Sequence, residues 1–164
     1  MNIYRKKIED RMKKLIITLI LITASTVSLY SQNKTIKGRV ISDDFEIVPL
    51  ALIMINDTVE VGRTDSNGFF QIDIPVSVKK ILFRDVGFEQ VTIAFVDTCD
   101  EVEVVMMLSG TYDFRTLKKV DKLRMKKFKK LPELHREAFE KGIFKTDKAC
   151  YIQEFIPYYK KKQR

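Results

Sequence analysis

Between residues 34 and 108 apolar and polar side chains alternate in short runs broken by turn-forming residues, and this pattern commits the stretch to β-structure. Ile36, Gly38 and Val40 interleave with Lys37 and Arg39, and Val102 and Val104 interleave with Glu101 and Glu103. Successive side chains of a strand point to opposite faces, so the alternation gives strands with one buried and one wetted side. The runs predict strands at 34–42, 48–56, 58–64, 69–74, 79–84, 88–97 and 101–108. Seven short strands with one apolar face each bury it by stacking two sheets, a mainly β sandwich. Asp43-Asp44 and Asp65-Ser66-Asn67-Gly68 mark reversals. Asn67 and Gly68 tolerate the positive φ of a tight hairpin, and Phe69-Phe70 begins the next strand at once. That tetrapeptide lacks the spaced acids and closing glutamate of a calcium loop, so it reads as a turn and no metal is assigned.

Residue usage then removes whole classes of chemistry. The chain has 164 residues, one histidine and two cysteines, which suits one small domain with appendages and excludes the many strands of an outer-membrane transporter. A single imidazole, His135, cannot assemble a multi-histidine zinc site or supply most acid–base constellations. No nucleophile elbow, dinucleotide fingerprint, Walker loop or C-x-x-C pair occurs. The expectation is therefore no enzyme, no catalytic residue and no cofactor. Net charge is +8, but residues 1–31 carry six Lys/Arg against two Asp/Glu, residues 32–110 seven against thirteen, and residues 111–164 seventeen against seven. An acidic middle with a basic tail argues against a uniformly basic nucleic-acid surface.

Several segments of the middle carry a resemblance. Ile36-Lys37-Gly38-Arg39-Val40-Ile41, Val48-Pro49-Leu50-Ala51, Gly62-Arg63-Thr64-Asp65-Ser66-Asn67-Gly68-Phe69-Phe70-Gln71-Ile72 and Leu82-Phe83-Arg84-Asp85-Val86-Gly87-Phe88, in this order, resemble the carboxypeptidase regulatory-like domain over about residues 34–108. The resemblance implies a transthyretin-like β-sandwich, with Gly62 and Gly68 bracketing a reversal. It also implies an accessory module, of the kind found beside metallocarboxypeptidase domains or as an N-terminal extension of TonB-dependent outer-membrane receptors, with no catalytic residues of its own. Two departures stand out. Where the family often has a Gly after the Pro, this chain has Leu50-Ala51, and residues 45–48 are unusually apolar for an exposed loop.

The N-terminus reads as an address. Lys13-Lys14, the apolar run 15–22 and the Ser/Thr-rich 23–31 have the order of an export signal. Met12 is the expected initiator, and cleavage is expected after Ser28 or Ser31. The run is short for a membrane span, so the mature chain is expected to have none and to work in the periplasm or cell envelope. Cys99 and Cys150 then enter an oxidising compartment as an even pair, either bonded or as two buried free thiols.

From Thr111 the period becomes helical. Phe114, Leu117, Val120 and Leu123, then Phe128, Leu131 and Leu134, give an apolar stripe, predicting a basic helix over 112–130 and a second from Pro132 to Lys141 ended by Gly142. The apolar segment 149–159 is expected to dock on the sandwich. If Phe114, Leu117, Phe128 and Leu131 pack down, Lys118, Lys122, Lys126 and Lys129 face outward, either as a plain solvated face or as the contact for an acidic partner, an envelope protein or the anionic envelope surface. His135, between Leu134 and Arg136, is expected on the solvated side with no role. The leading functional expectation is an exported, non-enzymatic binding or scaffolding module of the cell envelope, without nucleic acid. The alternative is an accessory factor that positions or stabilises a separately encoded outer-membrane receptor or hydrolase.

Overall fold

The computed structural model describes residues 11–19, 33–96, 99 and 101–159. The chain divides into two compact units, Met1–Lys34 and Thr35–Arg164. In the first, residues 11–19 form helix α1. No helix among the described residues is long and apolar enough to cross a membrane. The expected cleavage positions after Ser28 and Ser31 lie outside the described residues, as does the run Lys160 to Lys162.

Strands follow in sequence: β1 (Asn33–Ser42), β2 (Leu52–Ile55), β3 (Val59–Arg63), β4 (Phe69–Pro75), β5 (Lys80–Arg84), β6 (Val91–Phe95) and β7 (Glu101–Met106). Helices α2 (Leu117–Phe128) and α3 (Leu131–Glu140) come next, then an eighth strand, β8 (Tyr151–Glu154). Hydrogen bonding orders them as a three-stranded sheet, β4-β1-β7, and a five-stranded sheet, β3-β2-β5-β6-β8. The protein is thus mainly β with helices near its C-terminal end. The eighth strand corrects the expectation of seven. The tail returns to pair antiparallel with β6, Thr92 opposite Glu154 and Phe95 opposite Tyr151, so it completes a sheet as well as covering one.

The two sheets share one core. Ile36, Val40 and Val104 from the smaller sheet meet Ile53, Phe83 and Ile93 from the larger, all essentially inaccessible, and Phe70 meets Phe83 edge-on across the interface at 5.4 Å between ring centres. Each contributes the inward half of an alternating run, as the period requires. A second cluster lies where Ile41, Val105 and Met107 leave the three-stranded sheet and meet Leu131, Ala138 and Phe144 of the tail. β7 is therefore covered on both faces, and five of its six residues are buried. Phe45 packs against this second cluster and Val48 enters the main core, which accounts for the apolar character of 45–48: the helical tail supplies the lid that sequence alone left missing.

The Thr64-Asp65 pair explains why β2 begins at Leu52 and not at 48. Thr64 Oγ1 donates to the Val48 carbonyl (2.7 Å) and accepts from the Ala51 N–H (2.8 Å), while the Leu50 N–H donates to the Thr64 carbonyl (3.1 Å). These bonds hold 48–51 as a turn. One residue on, Asp65 Oδ1 accepts from the N–H groups of Asn67 and Phe69, both at 2.8 Å. Gly68 takes φ +76° where a side chain would strike the Val40 carbonyl. Asp65 thus spends its carboxylate on the turn. Gly62 lies inside β3 and does not bracket the reversal.

Candidate functional site

The basic tail is fastened to the sandwich at three places, and the fastening decides which of its charges are free. Helix α2 starts with Lys118 and Lys119 beside its positive end, has no acidic residue in its first turn and no side-chain cap at Thr116. It is poorly provided for as an isolated helix. Its buried residues are Val120 and Arg124. Arg124 Nε and Nη2 reach Glu89 Oε2 at 2.9 and 2.7 Å, Nη1 reaches Asp121 Oδ1 at 3.1 Å and the Ile156 carbonyl at 2.9 Å, and the guanidinium lies 3.7 Å from the centre of the Tyr158 ring. Tyr158 in turn donates its hydroxyl to Glu89 Oε2 at 2.9 Å. Asp121 accepts the Tyr158 and Tyr159 N–H groups at 2.9 and 2.8 Å. Arg124 is only 5% exposed and Glu89 3%, so each charge depends on the other for its burial. Burial lowers the Arg124 pKa, but the bonds to Glu89 and Asp121 outweigh it and raise the group above its ordinary value.

The second fastening is Glu103. Expected on the wetted side of β7, it is 5% exposed because its carboxylate accepts the Lys145 N–H (2.6 Å), the Thr146 N–H (3.1 Å) and the Thr146 hydroxyl (2.8 Å). Lys145 also pairs with Glu101. The third is covalent. Cys99, between β6 and β7, and Cys150, just before β8, form a disulfide with Cα atoms 5.4 Å apart.

Against this frame the lysines sort themselves. Residues of an α-helix advance about 100° each, so positions 118, 122, 126 and 129 fall within roughly 80° of one another, opposite the side that holds Val120 and Arg124. Lys118, Lys122, Lys126 and Lys129 are all exposed, and none of their side chains has an ion pair or hydrogen bond among the described residues. Lys127 lies off the stripe and is engaged, 3.3 Å from the Leu108 carbonyl and 3.8 Å from Asp43. The expected apolar underside needs correcting. Phe128 and Leu131 pack into the second core, but Phe114 is fully exposed and Leu117 is 54% exposed. The helix begins at Leu117, not 112, so Phe114, at φ +60°, falls outside its register. Arg124 takes an inward position that the apolar pattern gave to no charge.

His135 also departs from expectation: it is 3% exposed and packs on Phe144 with ring centres 4.8 Å apart. Burial lowers its pKa, partly offset by Glu103, a hydrogen bond to the Thr146 backbone, and Asp147. Its Nε2 is buried without a hydrogen-bond partner among the described residues, and the residue is one of those lining a cavity of about 610 Å³ between the helices and the approach to β8. Among the described residues no cluster of His, Cys, Asp or Glu could hold a metal ion. Sequence reasoning missed the Glu89–Arg124–Tyr158 hub. The available signal was the spacing of Val120, Arg124 and Phe128 by four, which puts the arginine on the apolar face. The chain matches no protein-family model, and no curated protein matches it either.

Proposed function

We propose that this protein is an exported, non-enzymatic binding or scaffolding module of the cell envelope. In this reading a carboxypeptidase regulatory-like, transthyretin-like sandwich carries a basic tail that engages an acidic partner, an envelope protein or the anionic envelope surface. The observation that carries it is the stripe of Lys118, Lys122, Lys126 and Lys129, exposed and without ion pairs among the described residues, along a helix whose opposite face is tied down by a buried salt bridge. A solvated lysine face needs no such anchoring. A contact surface does, because ordering a loose helix at the moment of binding subtracts from affinity.

Two observations support the family reading, and a third supports export. The Thr64 clamp, the Asp65 turn and the Gly68 left-handed residue give the matching segment a physical reason for its order. Leu50, where the family often has Gly, adopts φ +58°, the conformation glycine takes most easily. β1 begins at Asn33, so removal of a signal through Ser31 leaves its strands whole. The test is lysine-directed crosslinking in intact cells, followed by recovery of the protein from envelope and soluble fractions. The expected result is envelope protein starting at residue 29 or 32 and crosslinked through the stripe lysines. A chain that keeps residues 15–22, or crosslinks that avoid the stripe, contradicts the proposal.

A further inference from the structure

Every residue from Asp113 to Lys119 is exposed, at the point where the chain leaves the sandwich and enters α2. Leu117 and Arg124 are seven positions apart, which on a helix puts them on nearly the same side. Arg124 is 5% exposed, yet Leu117 is 54% exposed. The sandwich therefore seats the middle of α2, while nothing among the described residues covers the underside of its first turn. The helix overhangs its support, and its leading end is a projection.

Two large apolar side chains stand on that projection, Leu117 and the fully exposed Phe114. Phe114 is the third residue of a turn closed by the Arg115 N–H donating to the Tyr112 carbonyl at 3.2 Å, and its φ is +60°. Gly and Asn take that conformation readily, whereas it is unfavourable for a bulky residue. Backbone strain of this kind collects at ligand contacts, and here it holds a phenyl ring in water. Arg115, Lys118, Lys119 and Lys122 lie close by in sequence, and none of their side chains has an ion pair among the described residues. Asp121 is spent on Arg124 and on the Tyr158 and Tyr159 N–H groups, so Asp113 is the one acid left to offset four cations. A folded acidic partner would need a cavity shaped to this tip. A bilayer accepts a projection of any shape, taking apolar side chains into the headgroup boundary while cations stay with the phosphates.

We propose that this tip enters the interface of an anionic lipid bilayer, with Phe114 and Leu117 inserted and Arg115, Lys118, Lys119 and Lys122 held at the headgroup phosphates. The inference rests on the partner-binding reading above and commits it to lipid. The chain has no tryptophan, so Phe114→Trp places a single indole reporter at the tip. The probe is a vesicle of mixed phosphatidylglycerol and phosphatidylcholine. The expected result is sedimentation with these vesicles at low salt, a blue shift of the indole emission, and quenching by lipids brominated on their acyl chains. Phe114→Ser should bind about tenfold more weakly with an unchanged thermal midpoint. Sedimentation with an unshifted, unquenched indole overturns the insertion and leaves the lysine-stripe reading standing. So does a protein that ignores the vesicles but crosslinks to an envelope protein through the stripe, and Phe114→Ser binding as tightly as its parent is equally contrary. Quenching that persists when Lys118, Lys122, Lys126 and Lys129 are all changed to Gln supports the insertion and strikes the stripe reading alone.

Discussion

Thr64 serves two backbone groups with one hydroxyl and thereby sets the backbone of Leu50, 14 residues earlier in the chain. That coupling makes Leu50 a test of how the turn is held. Its side chain is 65% exposed, so little packing is at stake, while its φ of +58° is unfavourable for any residue with a Cβ by about 1–2 kcal/mol. Glycine relieves this but brings extra chain entropy to the unfolded state, about 0.5–1 kcal/mol. Leu50→Gly should therefore be neutral or stabilising by up to about 1 kcal/mol in denaturant titration. A loss larger than that would mean the side chain carries contacts the exposed position does not suggest. The roles of Asp65 and Gly68 were legible in the sequence because turn chemistry is local. Thr64 was not read as a clamp, since its partners Val48 and Ala51 lie 13 to 16 residues away. His135 was misplaced for a related reason: a polar residue between Leu134 and Arg136 reads as wetted unless the sheet beneath α3 is known.

At the scale of elements, strand existence followed the period of two, while strand ends followed hydrogen bonds that no period reveals. β2 lost its first four expected residues to the Thr64 turn, and β8 was read only as an apolar segment because four residues are too few to show alternation. Helix α2 was visible as a helix, but its inward face was not, because a charged residue packs there. The strap formed by residues 155–159 is joined to α2 largely through Asp121 and Arg124. Burial pushes the Asp121 carboxyl up, yet the N–H groups of Tyr158 and Tyr159 and the Arg124 guanidinium outweigh it and hold its pKa below the ordinary carboxylate value. A group lowered on folding adds stability above its unfolded pKa, and that stability disappears as pH falls through the folded value. Acidification from about pH 4 downward should therefore free the strap before the sandwich opens. The check is amide hydrogen exchange followed by pH. Tyr158 and Tyr159 should lose protection in that range while Val91 and Ile93 keep theirs, and in Asp121→Asn the two tyrosines should already exchange fast at neutral pH. Simultaneous loss at all four positions would show that the strap has no separate step.

For the whole molecule, the chain leaves one sheet at β7, covers its outer face with α3, and returns to the edge of the other sheet as β8. The tail was legible as basic and helical, and its return to the sheet was not, since pairing between β6 and β8 joins residues about 60 apart. The disulfide locks this circuit. Its cysteines are 51 residues apart, and closing a loop of that size lowers the entropy of the unfolded chain by the equivalent of about 4 kcal/mol at 25 °C. Replacing Cys99 and Cys150 together by Ala should reduce unfolding stability by roughly 3–4 kcal/mol, and non-reducing peptide mapping of the protein recovered from cells should yield the two as one linked pair. Recovery of two free thiols would remove the lock from the account. The central claim is that the fastened tail exists to present Lys118, Lys122, Lys126 and Lys129. Attraction through exposed charges is screened over about 8 Å at physiological ionic strength, and such charges contribute little to folding. The most direct measurement is co-sedimentation with anionic vesicles and with the envelope fraction across a salt series, for the protein and for a variant with all four lysines changed to Gln. The account predicts binding that weakens steeply with salt, is lost in the variant, and is accompanied by an unchanged thermal midpoint. Binding by the variant equal to that of the protein at both low and high salt would contradict it.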